Sequence, residues 1–207
     1  MNDFNWRMNA PLDKMEAIQR GEGAAGWMSS LVQRMDKLEA PIVRRIASVS
    51  RRLSLFHVSV LVNRMANGWM YLIVGALMIG LKGWQSWRPA AAGLISVGLC
   101  QILYRIIKRA IARRRPCEAD SALSSPEKPL DKYSFPSGHC MSAVAVAIPL
   151  GWAFPAVIPV MIFVVLLIGW ARLSLGHHYP SDIIMGCLIG AGISLGVTAL
   201  FFNLIRF

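Results

Sequence analysis

Acidic residues are scarce in this sequence. Its 207 residues include 11 Asp and Glu against 22 Lys and Arg, and charged residues of both signs reach only 16%. Cysteine is scarcer still. Cys100, Cys117, Cys140 and Cys187 are scattered and form no C-x-x-C pair, which argues against a disulfide framework and a zinc site. Three of the four lie in or beside apolar runs, where a free thiol behaves as a small buried hydrophobe. No internal repeat is visible. The first ~50 residues hold no apolar stretch long enough for a secretory signal peptide. The length suits one domain.

What the chain has in abundance is apolar sequence, 55% of it, gathered in long runs. A spanning helix needs roughly 20 such residues, because each rises about 1.5 Å through a hydrocarbon core about 30 Å thick. Five runs are read as spans of an all-α, integral membrane helical bundle, the first of them short: 69–81, 90–108, 137–154, 157–173 and 181–204. Trp84, Trp87, Lys82 and Arg88 at the first turn fit the headgroup zone. Pro155 marks a tight turn before the fourth run. With net charge +11, a basic chain can serve nucleic acid, an anionic membrane surface or a phosphorylated substrate. In a membrane protein the last two are the expected partners, and nucleic acid is not.

Residues 1–67 are different. They carry ten Lys or Arg and six Asp or Glu, and nothing in them could span a bilayer. Trp27, Met28, Leu31, Val32, Met35 and Leu38 recur near helical spacing, Pro41 interrupts, and a second mixed stretch runs from Ile42 to Met65. Such amphipathic helices lie in the membrane interface or pack on the protein's own polar face. The expected division is therefore an N-terminal amphipathic, interfacial region over 1–67 and a membrane-embedded catalytic domain over 68–207.

The spans place the end of the second helix, the start of the third, the end of the fourth and the start of the fifth on one membrane face. Three polar clusters fall there: 108–116, 135–139 and 172–182. Together they supply what phosphoryl transfer requires, since the transferring group spreads negative charge over three equatorial oxygens. Lys108, Arg115 and Arg172 bring three cations from three segments, Arg suiting bidentate contact and Lys a point charge. Ser137 and Gly138 open a helix, so free backbone N–H groups can face an anion there. Gly138, lacking a Cβ, lets the backbone approach closely.

Two histidines complete the set, one to attack phosphorus and one to protonate the leaving oxygen. Asp182, four residues after His178, can hold that imidazole in one tautomer. His178 is thus the nucleophile, Asp182 its partner and His139 the acid. His177 is a structural neighbour, because adjacent residues on a helix do not face one ligand position. No metal site and no cofactor is expected: Asp182 is the one assigned carboxylate and is already paired, whereas divalent ions in phosphoryl transfer sit on oxygen ligands, often several carboxylates.

Each cluster alone has a plainer reading. Arg113–Arg115 would pass for an interfacial basic cluster, Ser137 for an N-cap, and Asp182 for a cap of the last helix. The coincidence of all three spacings on one face weighs against accident. In order, Lys-x6-Arg-Pro, Pro-Ser-Gly-His and Arg-x5-His-x3-Asp resemble the type 2 phosphatidic acid phosphatase family, which shares its site with vanadium haloperoxidases and glucose-6-phosphatase. The resemblance covers about residues 68–204. It implies a helical core, a phosphohistidine intermediate, and metal-independent hydrolysis of a lipid-linked phosphomonoester or diphosphate. It also implies phosphate contacts for Lys108, Arg115, Ser137, Gly138, His139 and Arg172. The family's third motif usually begins Ser-Arg; here Ala171 precedes Arg172.

Other classes of function have discriminators. A vanadate-dependent haloperoxidase would use the same residues, but those enzymes are generally soluble and larger. A lipid phosphotransferase would pass the phosphoryl group to a second lipid, and a non-catalytic membrane scaffold would need no complete histidine set. Undecaprenyl diphosphate, phosphatidate and related lipid phosphates all present a phosphate at headgroup level, and the sequence is silent on oligomeric state. An inner membrane with the active site on the cytoplasmic face is expected, because Arg44, Arg45, Arg51, Arg52, Arg64, Arg109, Arg113, Arg114, Lys128 and Lys132 share that face. Only Lys82, Arg88 and Arg206 stand opposite.

Overall fold

The computed structural model describes residues 24–123, 127 and 129–203. Every regular element among them is helical: α1 (Ala24–Arg52), α2 (Phe56–Ala66), α3 (Trp69–Lys82), α4 (Trp87–Ile111), the single turn α5 (Pro116–Ala119), α6 (Gly138–Ala153), α7 (Ile158–Ser174) and α8 (Pro180–Asn203). The five apolar helices, α3, α4, α6, α7 and α8, fall within a few residues of the runs read from the sequence. Three stretches are long and apolar enough to cross a membrane, Trp69–Ala119, Pro155–Ser174 and Pro180–Asn203, while Gly138–Ala153 is apolar but shorter. The chain divides into two compact units, Met1–Pro41 and Ile42–Phe207.

Pro41 does not end the first helix as the sequence suggested. α1 continues through it to Arg52. A proline removes only its own N–H from the ladder, and a helix with residues suited to continue on both sides can absorb that loss. The break comes instead at 53–55, where Ser54 takes a positive φ of 56°. The C-terminal part of α1 is fastened to the segment after α5: Arg44 Nε donates to Asp120 at 2.5 Å, and Arg51 Nη1 to the Ala122 carbonyl at 3.1 Å.

In the second unit, α4, α6 and α8 pack on one another, α7 lies against α6, and α2 lies against α7. The distribution of residue sizes inverts that of a water-soluble core. Inside are Ala66, Ala92, Cys100, Cys140, Ala143, Ala145, Ser142 and Ser194, whereas Leu94, Ile102, Ile106, Ile162, Phe163, Leu166, Leu188 and Leu200 are exposed. Hydrocarbon supplies no hydrophobic drive between helices. Small residues inside let backbones meet, and large apolar ones face the lipid.

The contact of α6 with α8 shows this most clearly. A Cβ on Gly186 would stand 2.6 Å from the Ser137 carbonyl oxygen, and one on Gly190 would stand 2.5 Å from that of Met141. One turn further, Ser194 Oγ donates to the Ala145 carbonyl at 2.9 Å. Positions 186, 190 and 194 thus lie against 137, 141 and 145, backbone on backbone, and they fix the start of α6 beside the start of α8.

Candidate active site

That register brings the three polar clusters together. α4 carries Lys108 in its last turn, α6 begins at Gly138 with Ser137 as its N-cap, α7 carries Arg172 in its last turn, and His177 and His178 lie between α7 and α8. Lys108, Arg115, Ser137, Arg172, His177, His178 and Asp182 are all buried.

His178 sits at the centre. Its Nε2 faces two guanidinium groups, 3.2 Å from Arg172 Nη2 and 3.4 Å from Arg115 Nη1. Guanidinium can only donate, so Nε2 is the acceptor and the ring proton resides on Nδ1. Nδ1 in turn points at Asp182 Oδ2, 3.5 Å away. Burial lowers the His178 pKa well below its usual value, with Arg172, Arg115 and Lys108 pressing the same way. The imidazole is therefore neutral at physiological pH, with its lone pair directed toward the cations.

Asp182 makes its shorter contacts elsewhere. Its Oδ1 accepts from Arg113 Nη1 at 2.6 Å, and its Oδ2 from the Tyr179 backbone N–H at 2.8 Å. The latter is half of a capping box for α8, so capping the helix and facing the histidine are done by one carboxylate. The sequence reading counted Arg113 among the surface charges. It is buried instead, bonded also to Ser181 Oγ at 2.7 Å and stacked 4.1 Å from the Tyr179 ring centroid.

The cations differ in how far they are already engaged. Asp131, from the loop between α5 and α6, accepts from Lys108 Nζ and from Arg115 Nη2, each at 2.6 Å, and from the Tyr104 hydroxyl. Burial raises the Asp131 carboxyl, but Arg115, Lys108 and Tyr104 outweigh it and hold it below the ordinary carboxylate range. Arg115 also donates to the Asp131 carbonyl at 3.0 Å and to that of His177 at 2.5 Å. His177 itself is a buried strut: its Nε2 lies 2.9 Å from the Glu127 carbonyl, and burial, then Arg172, lower its pKa to about 3.

Arg172 is held from the opposite side. Its Nη1 donates to Asn63 Oδ1, while its Nε is buried without a partner. Ser137 Oγ is likewise buried and unbonded. The Ser137 backbone N–H is not free, as the sequence reading had it, because it donates to the Asp182 carbonyl at 2.9 Å. Gly138 is required for a reason the motif does not show. A Cβ there would meet the Tyr104 ring at 2.7 Å.

His139 Nε2 donates to Asn67 Oδ1 at 2.6 Å. With Ser59, whose Oγ donates to Ser174 Oγ at 2.9 Å, and Asn63, this completes a polar stripe on one side of α2 and its C-cap. Positions i, i+4 and i+8 share a helix face, and each member reaches a different part of the site. Asn63, Asn67, Tyr104, Arg113 and Asp131 are therefore site residues that the motifs did not name. Among the described residues, no three of His, Cys, Asp and Glu gather as metal ligands.

Known proteins match this arrangement. Decaprenylphosphoryl-5-phosphoribose phosphatase of Mycobacterium tuberculosis is 33% identical over 125 residues, 60% of this chain and 66% of the relative. Lipid A 1-phosphatase of Rhizobium johnstonii is 34% identical over 49% of this chain and 43% of its own length. The match thus covers just under two thirds of the first relative's length and well under half of the second's. The crystal structure of a transmembrane PAP2-type phosphatidylglycerolphosphate phosphatase from Bacillus subtilis superposes with a TM-score of 0.64 at 20% identity, covering 87% of this chain and 95% of that one, and so shares the fold. The model of the PAP2 superfamily matches residues 89–206, from the start of α4 to the C-terminal end. The chain belongs to the PAP2 superfamily.

Proposed function

We propose that this membrane protein is a lipid phosphate phosphatase that hydrolyses a lipid-linked phosphomonoester or diphosphate through a phosphohistidine on His178. The observation that carries the reading is the orientation of His178, with its unprotonated Nε2 between Arg115 and Arg172 and its Nδ1 toward Asp182. Nε2 attacks phosphorus while Lys108, Arg115, Arg172, Ser137 and the start of α6 receive the equatorial oxygens. Asp182 steadies the imidazolium that develops, and His139 protonates the leaving oxygen. Water, activated in turn by His139, then releases phosphate. The curated relatives named as phosphatases of lipid-linked substrates support the reading.

The test is chemical. With a substrate labelled in its phosphate, acid-quenched wild type should retain label on His178, and His178→Ala should neither label nor turn over. Full activity in His178→Ala would end the proposal. Turnover should survive EDTA and be blocked by vanadate, which mimics five-coordinate phosphorus; strict dependence on added magnesium would contradict it.

We place the protein in the inner membrane with the site on the cytoplasmic face. Burial of Arg113 against Asp182 removes it from the count of orienting charges, yet Arg45, Arg52, Arg109 and Arg114 remain exposed on that side. Exposed Ile42, Val49, Leu53, Val58 and Leu61 alongside these arginines suit an interfacial seat for the N-terminal amphipathic region. Cys117 is half-buried beside Arg115, and the thiolate is the form a maleimide takes, so labelling should be run at alkaline pH. With the other three cysteines replaced, an impermeant maleimide should reach Cys117 only after spheroplasts are lysed.

A further inference from the structure

Four cations are buried among the described residues: Lys108, Arg113, Arg115 and Arg172. Three of them serve the phosphate in the reading above, and Arg113 does not. It stands on the far side of the nucleophile, beyond Asp182, where its Nη1 donates to Oδ1 at 2.6 Å. The other carboxylate oxygen, Oδ2, faces His178 Nδ1 at 3.5 Å. One line of groups thus runs from Arg113 through the carboxylate and the imidazole to Nε2, the attacking atom.

The backbone is shaped to put Arg113 there. α4 is capped by Ala112, whose φ of 50° and ψ of 34° are left-handed, a conformation that a residue with a Cβ adopts at a cost. Arg113 follows at once. Its carbonyl accepts from the Ser134 backbone N–H at 2.8 Å, its Nη1 also donates to Ser181 Oγ at 2.7 Å, and its guanidinium lies 4.1 Å from the Tyr179 ring centroid. The segments leading into α6 and α8 therefore close on one residue.

Charge is what the position supplies. Among the described residues, the charged and titratable side chains on the Asp182 carboxylate are Arg113, from the segment after α4, and His178, from the loop before α8. From the α6 side, the Ser137 backbone N–H donates to the Asp182 carbonyl. A buried carboxylate without a cation takes up a proton instead. Protonated, Asp182 could not offset the positive charge that the ring acquires on attack, and its hydroxyl could donate to Nδ1. The ring proton would then belong on Nε2, where the lone pair is required. In the resting site Nδ1 is buried without a hydrogen bond. Charge-assisted bonds are shorter, so its contact with Oδ2 tightens as the imidazolium forms, provided that the carboxylate is ionised.

We propose that Arg113 is a positioning residue for the nucleophile: its guanidinium keeps Asp182 an ionised acceptor, and thereby keeps the His178 proton on Nδ1 and the Nε2 lone pair free. The proposal rests on the phosphatase reading above and adds the group that arms its nucleophile.

The pH profile of phosphate release by the purified full-length protein in detergent tests this. Phosphatidate, phosphatidylglycerol phosphate and undecaprenyl diphosphate are offered to the wild type, and the variants are compared on whichever it turns over fastest. Arg113→Gln keeps a donor toward Asp182 but removes the charge, whereas Arg113→Lys keeps the charge but removes the fork. In Arg113→Gln, kcat should fall about 10–100-fold at about pH 6.5, the worth of a hydrogen bond to a charged group. KM should stay within about twofold, because Arg113 holds no phosphate oxygen. The active form is the ionised one, present above the acid limb and lost below it. That limb should therefore move about 1–3 pH units higher in Arg113→Gln, so that raising the pH restores much of the rate. Arg113→Lys should keep the wild-type limb and most of the activity. A loss in Arg113→Gln that is the same at every pH, no loss at all, or an Arg113→Lys variant no better than Arg113→Gln would overturn the proposal. If Arg113→Gln shows no melting transition, Arg113→Lys decides alone: a displaced acid limb, or a kcat as low as that of Asp182→Asn, overturns it. Absence of phosphate release from every lipid by the wild type would instead overturn the phosphatase reading, and this role with it.

Discussion

The two sides of the proposed phosphate cradle are built on opposite plans. On one, Lys108 and Arg115 are both bonded to Asp131, and Arg115 spends further donors on two backbone carbonyls. On the other, Arg172 keeps Nε unbonded, Ser137 keeps its hydroxyl unbonded, and Asn63 fixes Arg172 from behind. The first side is aligned by a carboxylate that competes with phosphate for the same donors. The second is aligned by neutral amide and backbone contacts that leave donors for the substrate. Cations can be oriented either way, but only the neutral way leaves their charge uncancelled.

The comparison breaks most sharply at Asn63. Asn63→Ala would leave Arg172 Nη1 buried without its acceptor, a cost of about 1–3 kcal/mol. We expect kcat/KM to fall about 10–100-fold, with Asn63→Gln recovering part of it and Lys108 contacts unaffected. An unchanged kcat/KM would show that Arg172 is aimed without α2.

A smaller and opposite effect is expected across the cradle. Asp131→Asn removes the charge that occupies Lys108 and Arg115, so vanadate should inhibit at about 3–10-fold lower concentration even as thermal stability falls. Weaker vanadate inhibition would mean that Asp131 supports the cations throughout and never competes. Ser137→Ala, on the side with free donors, should cost about 3–10-fold in kcat/KM, the value of one neutral hydrogen bond.

The smallest effect is one of stability against pH. His177 and His178 titrate near 6.5 when unfolded and lower in the folded protein, His177 at about 3. The unfolded chain therefore binds more protons below 6.5, and the stability these residues permit is present in full above that pH and lost as it falls toward 3. The melting temperature in detergent should drop between pH 7 and pH 4.5, and His177→Gln should flatten the drop. A melting temperature indifferent to pH over that range would refute the burial argument.

Much of this was legible in the sequence, and for a physical reason. Apolar runs and ordered motifs leave a periodic and ordered trace, so the helices, and the meeting of residues such as His178 and Arg172 in one place, could be read directly. Their partners leave none. Asn63 meets Arg172, and Asn67 meets His139, across long separations in the chain. Asp131 stands in a loop with no motif of its own. The one usable signal was the spacing of Ser59, Asn63 and Asn67, three uncharged polar residues on one face of a largely apolar helix, a pattern that calls for buried partners. Pro41 and Arg113 were misread for the opposite reason, since local rules about proline and arginine were overruled by a continuing helix and a buried carboxylate.

The stripe on α2 also changes what counts as a complete site. All three motifs, and the whole family match from residue 89 onward, lie downstream of it. A fragment starting at Gly68 would satisfy any motif search while lacking the acceptor of Arg172, the acceptor of His139 and the tie to Ser174. Inventories that score such chains by their motifs would count it as intact, although the groups that aim its chemistry would be gone.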